Sequence, residues 1–178
     1  YFNTTSFFGI ITWVFRNVRK DMGFEIERKF LVSDETAEKY LQMVSEGKLK
    51  SHEIEQAYLT TDPVIRVRRS DDEYYMTYKG KGLLKREEYN LLLTKESYET
   101  LLSKADGNII KKTRILIPFD KYTVELDIFK KPFDYIKMAE VEFESDEEAM
   151  SFNKPDWFLE EVTNNREYHN SVMSRKVF

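Results

Sequence analysis

Polar and apolar residues alternate along most of the chain from residue 24 onward, as they do in β-strands with one face buried. The first such segment reads FEIERKFLV (24–32), and it places Glu25, Glu27 and Lys29 on one face and its apolar residues on the other. The same alternation predicts seven further strands, over 53–61, 64–70, 73–79, 83–93, 109–119, 122–129 and 136–145.

Helical spacing of apolar residues appears between some of these strands. A helix is predicted after the first strand, with Ser33 or Asp34 as its N-cap, and a second helix carries Tyr98 and Leu101 on its apolar face. A short helix near 146–153 and another after 164 complete the list. No linker or fixed-period repeat interrupts this region, so we expect one domain over 23–178, preceded by an extension over 1–22.

The extension contains an apolar run, FFGIITWVF (7–15), followed by basic residues. Nine residues are too few to cross a bilayer, which takes about 20, and charges that follow the run are the reverse of a secretory signal. A helix packed on the domain, an interfacial anchor and a segment foreign to the fold remain open. We therefore expect a cytoplasmic protein that does not span a membrane.

Charged residues gather on one face of nearly every predicted strand, as doublets or triplets two positions apart. A solvent face explains one such strand easily, but adjacent like charges repel each other, so seven such strands indicate a ligand that offsets the repulsion. Closing the strands into a barrel with this face inward gives a charged lumen with helices over the apolar outside, an α+β fold. The lumen would hold seven bases (Lys29, Arg66, Arg68, Lys79, Arg86, Lys112 and Arg114) and seven acids (Glu25, Glu27, Glu88, Glu125, Asp127, Glu140 and Glu142).

The seven bases and seven acids of the lumen together indicate a ligand that is a chain of phosphates bound with divalent cations. Arginine binds phosphate oxygens bidentately, and carboxylates suit hard cations such as magnesium and manganese. The chain has no cysteine, which excludes thiolate sites, and we expect its two histidines, His52 and His169, to lie at the surface. A net charge of −4 argues against nucleic acid as a partner.

EIERKF (25–30) resembles the ExExK signature of the CYTH superfamily, the triphosphate tunnel metalloenzymes. The blocks VIRVRR, YMTYKG, KREEY, KKTR, VELDIF and AEVEFES follow in the order that the family has, so the resemblance covers about residues 23–175. Two positions depart from the pattern. Asn90 stands where relatives continue the acidic alternation, and Glu167 stands where they have a base.

The resemblance implies an eight-stranded antiparallel tunnel that hydrolyses tripolyphosphate to pyrophosphate and phosphate with one or two Mg²⁺ or Mn²⁺ ions. Lys29, Glu25 and Glu27 would be catalytic, the seven bases would bind phosphate, and the seven acids would hold metal. A class IV adenylyl cyclase, a thiamine or nucleoside triphosphatase, and a non-catalytic polyphosphate-binding or nucleotide-binding module remain alternatives. The expected partner is a small-molecule triphosphate, and a homodimer is left open.

Overall fold

The computed structural model describes residues 22–80 and 85–178, with the backbone alone for 22–25 and 85–86. The predicted extension over 1–22 therefore lies almost wholly outside the described residues. All eight predicted strands form. They are β1 (Met22–Leu31), β2 (Lys50–Thr61), β3 (Val64–Ser70), β4 (Glu73–Lys79), β5 (Lys85–Leu92), β6 (Asp106–Phe119), β7 (Tyr122–Phe129) and β8 (Lys137–Phe143).

The strands pair antiparallel into a closed barrel in the order β1-β5-β4-β3-β2-β6-β7-β8. Strand β1 closes the ring because it is long enough to serve two neighbours. Its residues 22–26 pair with β5 and its residues 26–31 pair with β8. The predicted α+β barrel is confirmed.

Three of the four described α-helices begin after a residue with a capping hydroxyl. The four helices are α1 (Asp34–Ser45), α2 (Lys95–Leu102), α3 (Asp146–Ser151) and α4 (Asn170–Met173), with a 3-10 turn at Arg166–Tyr168. Ser33, Thr94 and Ser145 each accept a hydrogen bond from a backbone N–H in the first turn of the helix that follows. No helix in the described part of the chain is long and apolar enough to cross a membrane.

The main core lies on the outer face of the barrel, beneath α1, α3 and the segment after α3. Outward residues of β6, β7 and β8, including Ile115, Leu126 and Val141, are fully buried there. The rings of Phe30 and Phe158 stack with their centroids 4.6 Å apart. Because the apolar face of each strand is buried on the outside of the barrel, the charged face points into the lumen.

One end of the lumen is filled by a second apolar cluster, here called the plug. Lumen-facing residues at that end of four strands pack against the C-terminal segment, and the buried members are Tyr58, Ile110, Phe129, Phe133, Ile136, Met138, Val162 and Met173. The prediction that His169 lies at the surface is wrong. Its side chain is buried, with Nε2 3.1 Å from the carbonyl oxygen of Thr163, because the segment folds under the barrel.

Candidate functional site

The charged residues of the lumen form two layers above the plug. The deeper layer is buried, and each member is at most 6% exposed: Glu27, Lys29, Arg66, Lys79, Lys112, Asp127 and Glu140. The layer nearer solvent is partly or fully exposed and contains Arg68, Glu88, Arg114, Glu125 and Glu142. The barrel thus brings together every predicted site residue whose side chain is described.

Glu25 and Arg86 are the two predicted site residues whose side chains lie outside the described part. Their backbones are register partners across β1 and β5, which places them on neighbouring strands of the barrel. Their roles stay predictions.

Lys29 joins two acids at the seam between β1 and β8. Its Nζ lies 2.5 Å from Oε1 of Glu140 and 3.0 Å from Oε1 of Glu27, and all three side chains are buried. Burial raises the pKa of Glu140, but the positive charges of Lys29, Lys112 and Arg114 outweigh it and hold that pKa well below its usual value. Glu140 is therefore ionised even though it is buried.

Arg114 binds three acids from two neighbouring strands. Its Nε and Nη2 donate to the two oxygens of Asp127 at 2.7 and 2.6 Å, and Nη2 also donates to Glu140 at 2.6 Å. Nη1 donates to Glu125, and Lys112 donates to Asp127 from the deeper layer. Burial opposes the charge of Arg114, but the three acids raise its pKa well above the usual value.

The bases of β3 and β4 have fewer acidic partners. Glu88 on β5 lies 2.7 Å from Nζ of Lys79 and 3.8 Å from Nη2 of Arg66. Arg68 forms no salt bridge with any side chain that the structure describes, and its buried Nε has no hydrogen-bond partner. Burial, Arg66 and Arg114 lower the pKa of Arg68 to about 10.

The two sides of the lumen consequently differ in charge. On β6, β7, β8 and β1, the described lumen side chains comprise five acids and three bases, an excess of two negative charges: Glu27, Glu125, Asp127, Glu140 and Glu142 against Lys29, Lys112 and Arg114. We call this the acidic wall. On β3, β4 and β5, apart from Glu73, which is exposed at the rim, they comprise three bases and one acid, an excess of two positive charges: Arg66, Arg68 and Lys79 against Glu88. We call this the basic wall.

Several uncharged polar residues of the lumen were not predicted from the sequence. Thr77 is fully buried between Arg66 and Asn90, and Gln56 donates to the hydroxyl of Tyr58 at 3.2 Å. For Thr77 the signal was present, since it shares the alternation of Lys79 on β4, whereas the charged residues Glu53 and Glu55 of β2 lie on the face opposite to Gln56. At the rim, His52 lies partly exposed with Nδ1 2.7 Å from Asp71.

The residue types of the acidic wall fit a hard divalent cation. Glu27 and Glu142 are register partners on β1 and β8, so two carboxylates stand side by side and supply oxygen ligands, which hard cations prefer. Within the ranges that the structure covers, no three acidic or histidine side chains are already gathered as a metal site. Lys29 and Arg114 instead neutralise the carboxylates, so a cation must displace at least part of these pairs.

The fold and the site together define a class of protein. Its members are closed antiparallel barrels with charged residues of both signs in the lumen. A family model for the CYTH domain matches residues 23–175, and the chain belongs to that family.

Two relatives named inorganic triphosphatase support this assignment. The one from Nitrosomonas europaea is 35% identical over 158 residues, covering 86% of this chain and 98% of the relative. The one from Acetivibrio thermocellus is 34% identical over 161 residues, covering 88% and 97%. A crystal structure of an inorganic triphosphatase matches with a TM-score of 0.60 and 32% identity, covering 86% of this chain and 95% of that one.

Proposed function

We propose that this chain hydrolyses inorganic triphosphate to pyrophosphate and phosphate inside its barrel, with a divalent cation. The observation that carries the proposal is the opposition of the two walls. A basic wall with excess positive charge attracts a phosphate chain, and an acidic wall with excess negative charge attracts a cation that bridges to the same phosphates. The names of the two relatives agree with this substrate.

The basic wall supplies the proposed phosphate contacts. Arg66 and Arg68 present guanidinium groups that can each bind two phosphate oxygens, and Lys79 adds a single point charge beside them. Arg86 is proposed to extend the same set from β5. Lys112 and Arg114 would reach the phosphates from the opposite side of the lumen, because the carboxylates that now pair with them could bind the cation instead.

The acidic wall supplies the proposed metal ligands. Glu25, Glu27, Glu140 and Glu142 would hold magnesium or manganese between β1 and β8. When bound, the cation neutralises charge that develops on the bridging oxygen and lowers the pKa of a bound water. Glu88, Glu125 and Asp127 remain predicted ligands, and each would have to exchange a basic partner for the ion.

The reaction adds water to a terminal phosphorus. The bridging P–O bond breaks, pyrophosphate leaves with the bonding electrons, and the proton released by water is carried away on a phosphate oxygen or by solvent. Lys29 would position Glu27 and Glu140 until the cation binds, since its ammonium lies 3.0 Å from Glu27 and 2.5 Å from Glu140. Most of the rate gain would come from alignment and electrostatic stabilisation, which dominate phosphoryl transfer.

We assign this activity to the CYTH-like domain over residues 23–178. The decisive experiment measures phosphate release from tripolyphosphate, ATP, thiamine triphosphate and pyrophosphate, each with Mg²⁺, Mn²⁺ or EDTA. Fast release from tripolyphosphate that EDTA abolishes is the expected result. A cyclic nucleotide formed from ATP would indicate a cyclase instead, and tight binding without turnover would indicate a binding module.

A further inference from the structure

Four lumen side chains of β4 and β5 form a continuous line of polar contacts. The hydroxyl of Thr77 donates to Oδ1 of Asn90 at 2.6 Å, and Nδ2 of Asn90 donates to Oε1 of Glu88 at 3.1 Å. The other oxygen of Glu88 lies 2.7 Å from Nζ of Lys79. Thr77 and Asn90 are register partners, as are Lys79 and Glu88, so both cross-strand pairs belong to one ladder.

The amide of Asn90 is suited to the middle of this line. Its oxygen accepts from Thr77 while its nitrogen donates to a carboxylate, and a carboxylate at the same position could do only the first. An aspartate of the same shape would bring a second negative charge to about 3 Å from Glu88, where like charges repel strongly. Asn90 therefore holds Glu88 in place without adding charge.

The absence of charge at position 90 matters for the arginines beside it. Nη2 of Arg66 is 3.5 Å from the Thr77 hydroxyl that donates to Asn90. Arg68 follows on β3 and has no salt bridge to a described side chain, and Glu88 is the one acid among the four residues of the basic wall. An additional acid here would draw one arginine away from an incoming phosphate.

We propose that Asn90 is a positioning residue that fixes Glu88 against Lys79 while leaving Arg66 and Arg68 available to the phosphate chain. The inference rests on the proposed function, because it concerns how the same basic wall receives its substrate. It assigns a purpose to an uncharged residue among the charged positions of the lumen. The effect falls on substrate binding and much less on the chemical step.

The test compares Asn90→Asp with Asn153→Asp, which adds the same charge at an exposed position outside the lumen. We expect Asn90→Asp to raise KM for tripolyphosphate by about tenfold or more, as a nearby like charge opposes an anion, with kcat within about twofold. Isothermal titration with tripolyphosphate in EDTA should report the same weakening without turnover. Asn153→Asp should leave both quantities unchanged.

Thr77 provides an independent check through the hydrogen bond alone. Thr77→Val removes the donor to Asn90 and should raise KM by roughly fivefold, the equivalent of one hydrogen bond of about 1 kcal/mol. Thr77→Ser keeps the hydroxyl and should restore KM. If the role of Thr77 were purely structural, Thr77→Val and Thr77→Ser would both lower the melting temperature, and KM would not change independently of kcat.

The inference is overturned if Asn90→Asp matches Asn153→Asp in both KM and affinity, or if it lowers kcat and leaves KM unchanged. The wild-type chain reports separately on the proposed function. If it neither binds nor hydrolyses tripolyphosphate, the function itself is wrong. If it does both and the variants do not differ from it, only the role of Asn90 is wrong.

Discussion

Nζ of Lys29 lies 2.5 Å from Glu140 and 3.0 Å from Glu27, so one buried ammonium pairs with two buried carboxylates at the seam that closes the barrel. Lys29 and Glu140 are register partners on β1 and β8, although 111 positions separate them in the chain. Both acids are proposed metal ligands. The lysine and a divalent cation are thus alternative ways of balancing the same charge.

Replacing Lys29 by methionine should destabilise the metal-free protein and increase its stabilisation by Mg²⁺. Glu27 and Glu140 lose the ammonium that they share, and removing one partner of a buried ion pair typically costs about 3–5 kcal/mol. A divalent cation can supply the missing positive charge. Urea unfolding in EDTA and in Mg²⁺ measures both effects, with the exposed Lys48→Met as control. An equal Mg²⁺ effect in wild type and variant would contradict the metal assignment.

Replacing Arg68 by methionine should leave the metal-free protein at least as stable and should impair substrate binding. Arg68 lacks a described acidic partner, and its pKa is lowered to about 10 by burial and by neighbouring arginines. Removing it relieves that repulsion, so we expect an unchanged or raised melting temperature, with KM for tripolyphosphate raised at least about tenfold. Arg175→Met, at an exposed arginine that donates to Thr61, should leave KM unchanged. A fall in melting temperature without a change in KM would contradict this prediction.

The loss of folding stability at acidic pH should depend on Glu140. Its pKa in the folded state is well below the usual value of 4.5, so the unfolded chain binds more protons as the pH falls. The stabilisation is therefore complete above pH 4.5 and is lost as the pH falls toward the folded-state pKa. Glu140→Gln should be less stable than wild type at pH 7, and the difference should shrink on acidification. Urea unfolding between pH 3 and 7 tests this, and a difference that is constant with pH would refute it.

The plug should contribute strongly to stability. Met173 is fully buried in it, and truncating a buried methionine to alanine typically costs about 2–5 kcal/mol. Met150 is 75% exposed, so Met150→Ala should change the free energy of unfolding by less than about 0.5 kcal/mol. Chemical denaturation of both variants makes the comparison. Similar small losses would mean that the C-terminal segment is not a firm part of the barrel.

Much of the candidate site was predictable from the alternation of residues alone. Arg66, Lys79, Lys112 and Asp127 all lie inside the barrel as expected, because adjacent residues of a strand point to opposite faces whatever the fold. The same rule would have identified Thr77, had uncharged residues been counted with the charged ones. His169 was misjudged because no local pattern reveals that its segment folds under the barrel.

The sequence by itself determined which residues share a face, where the strands and helices lie, and which chemistry the charged face suits. Those properties follow from the period of the backbone and from the side chains, and both are local. The tertiary structure decided which charges meet, why Arg68 has no described acidic partner while Arg114 has three, and where the plug closes the lumen. These depend on strand order, register and ring closure between residues far apart in the chain, because a cross-strand neighbour is fixed only when two distant segments pair.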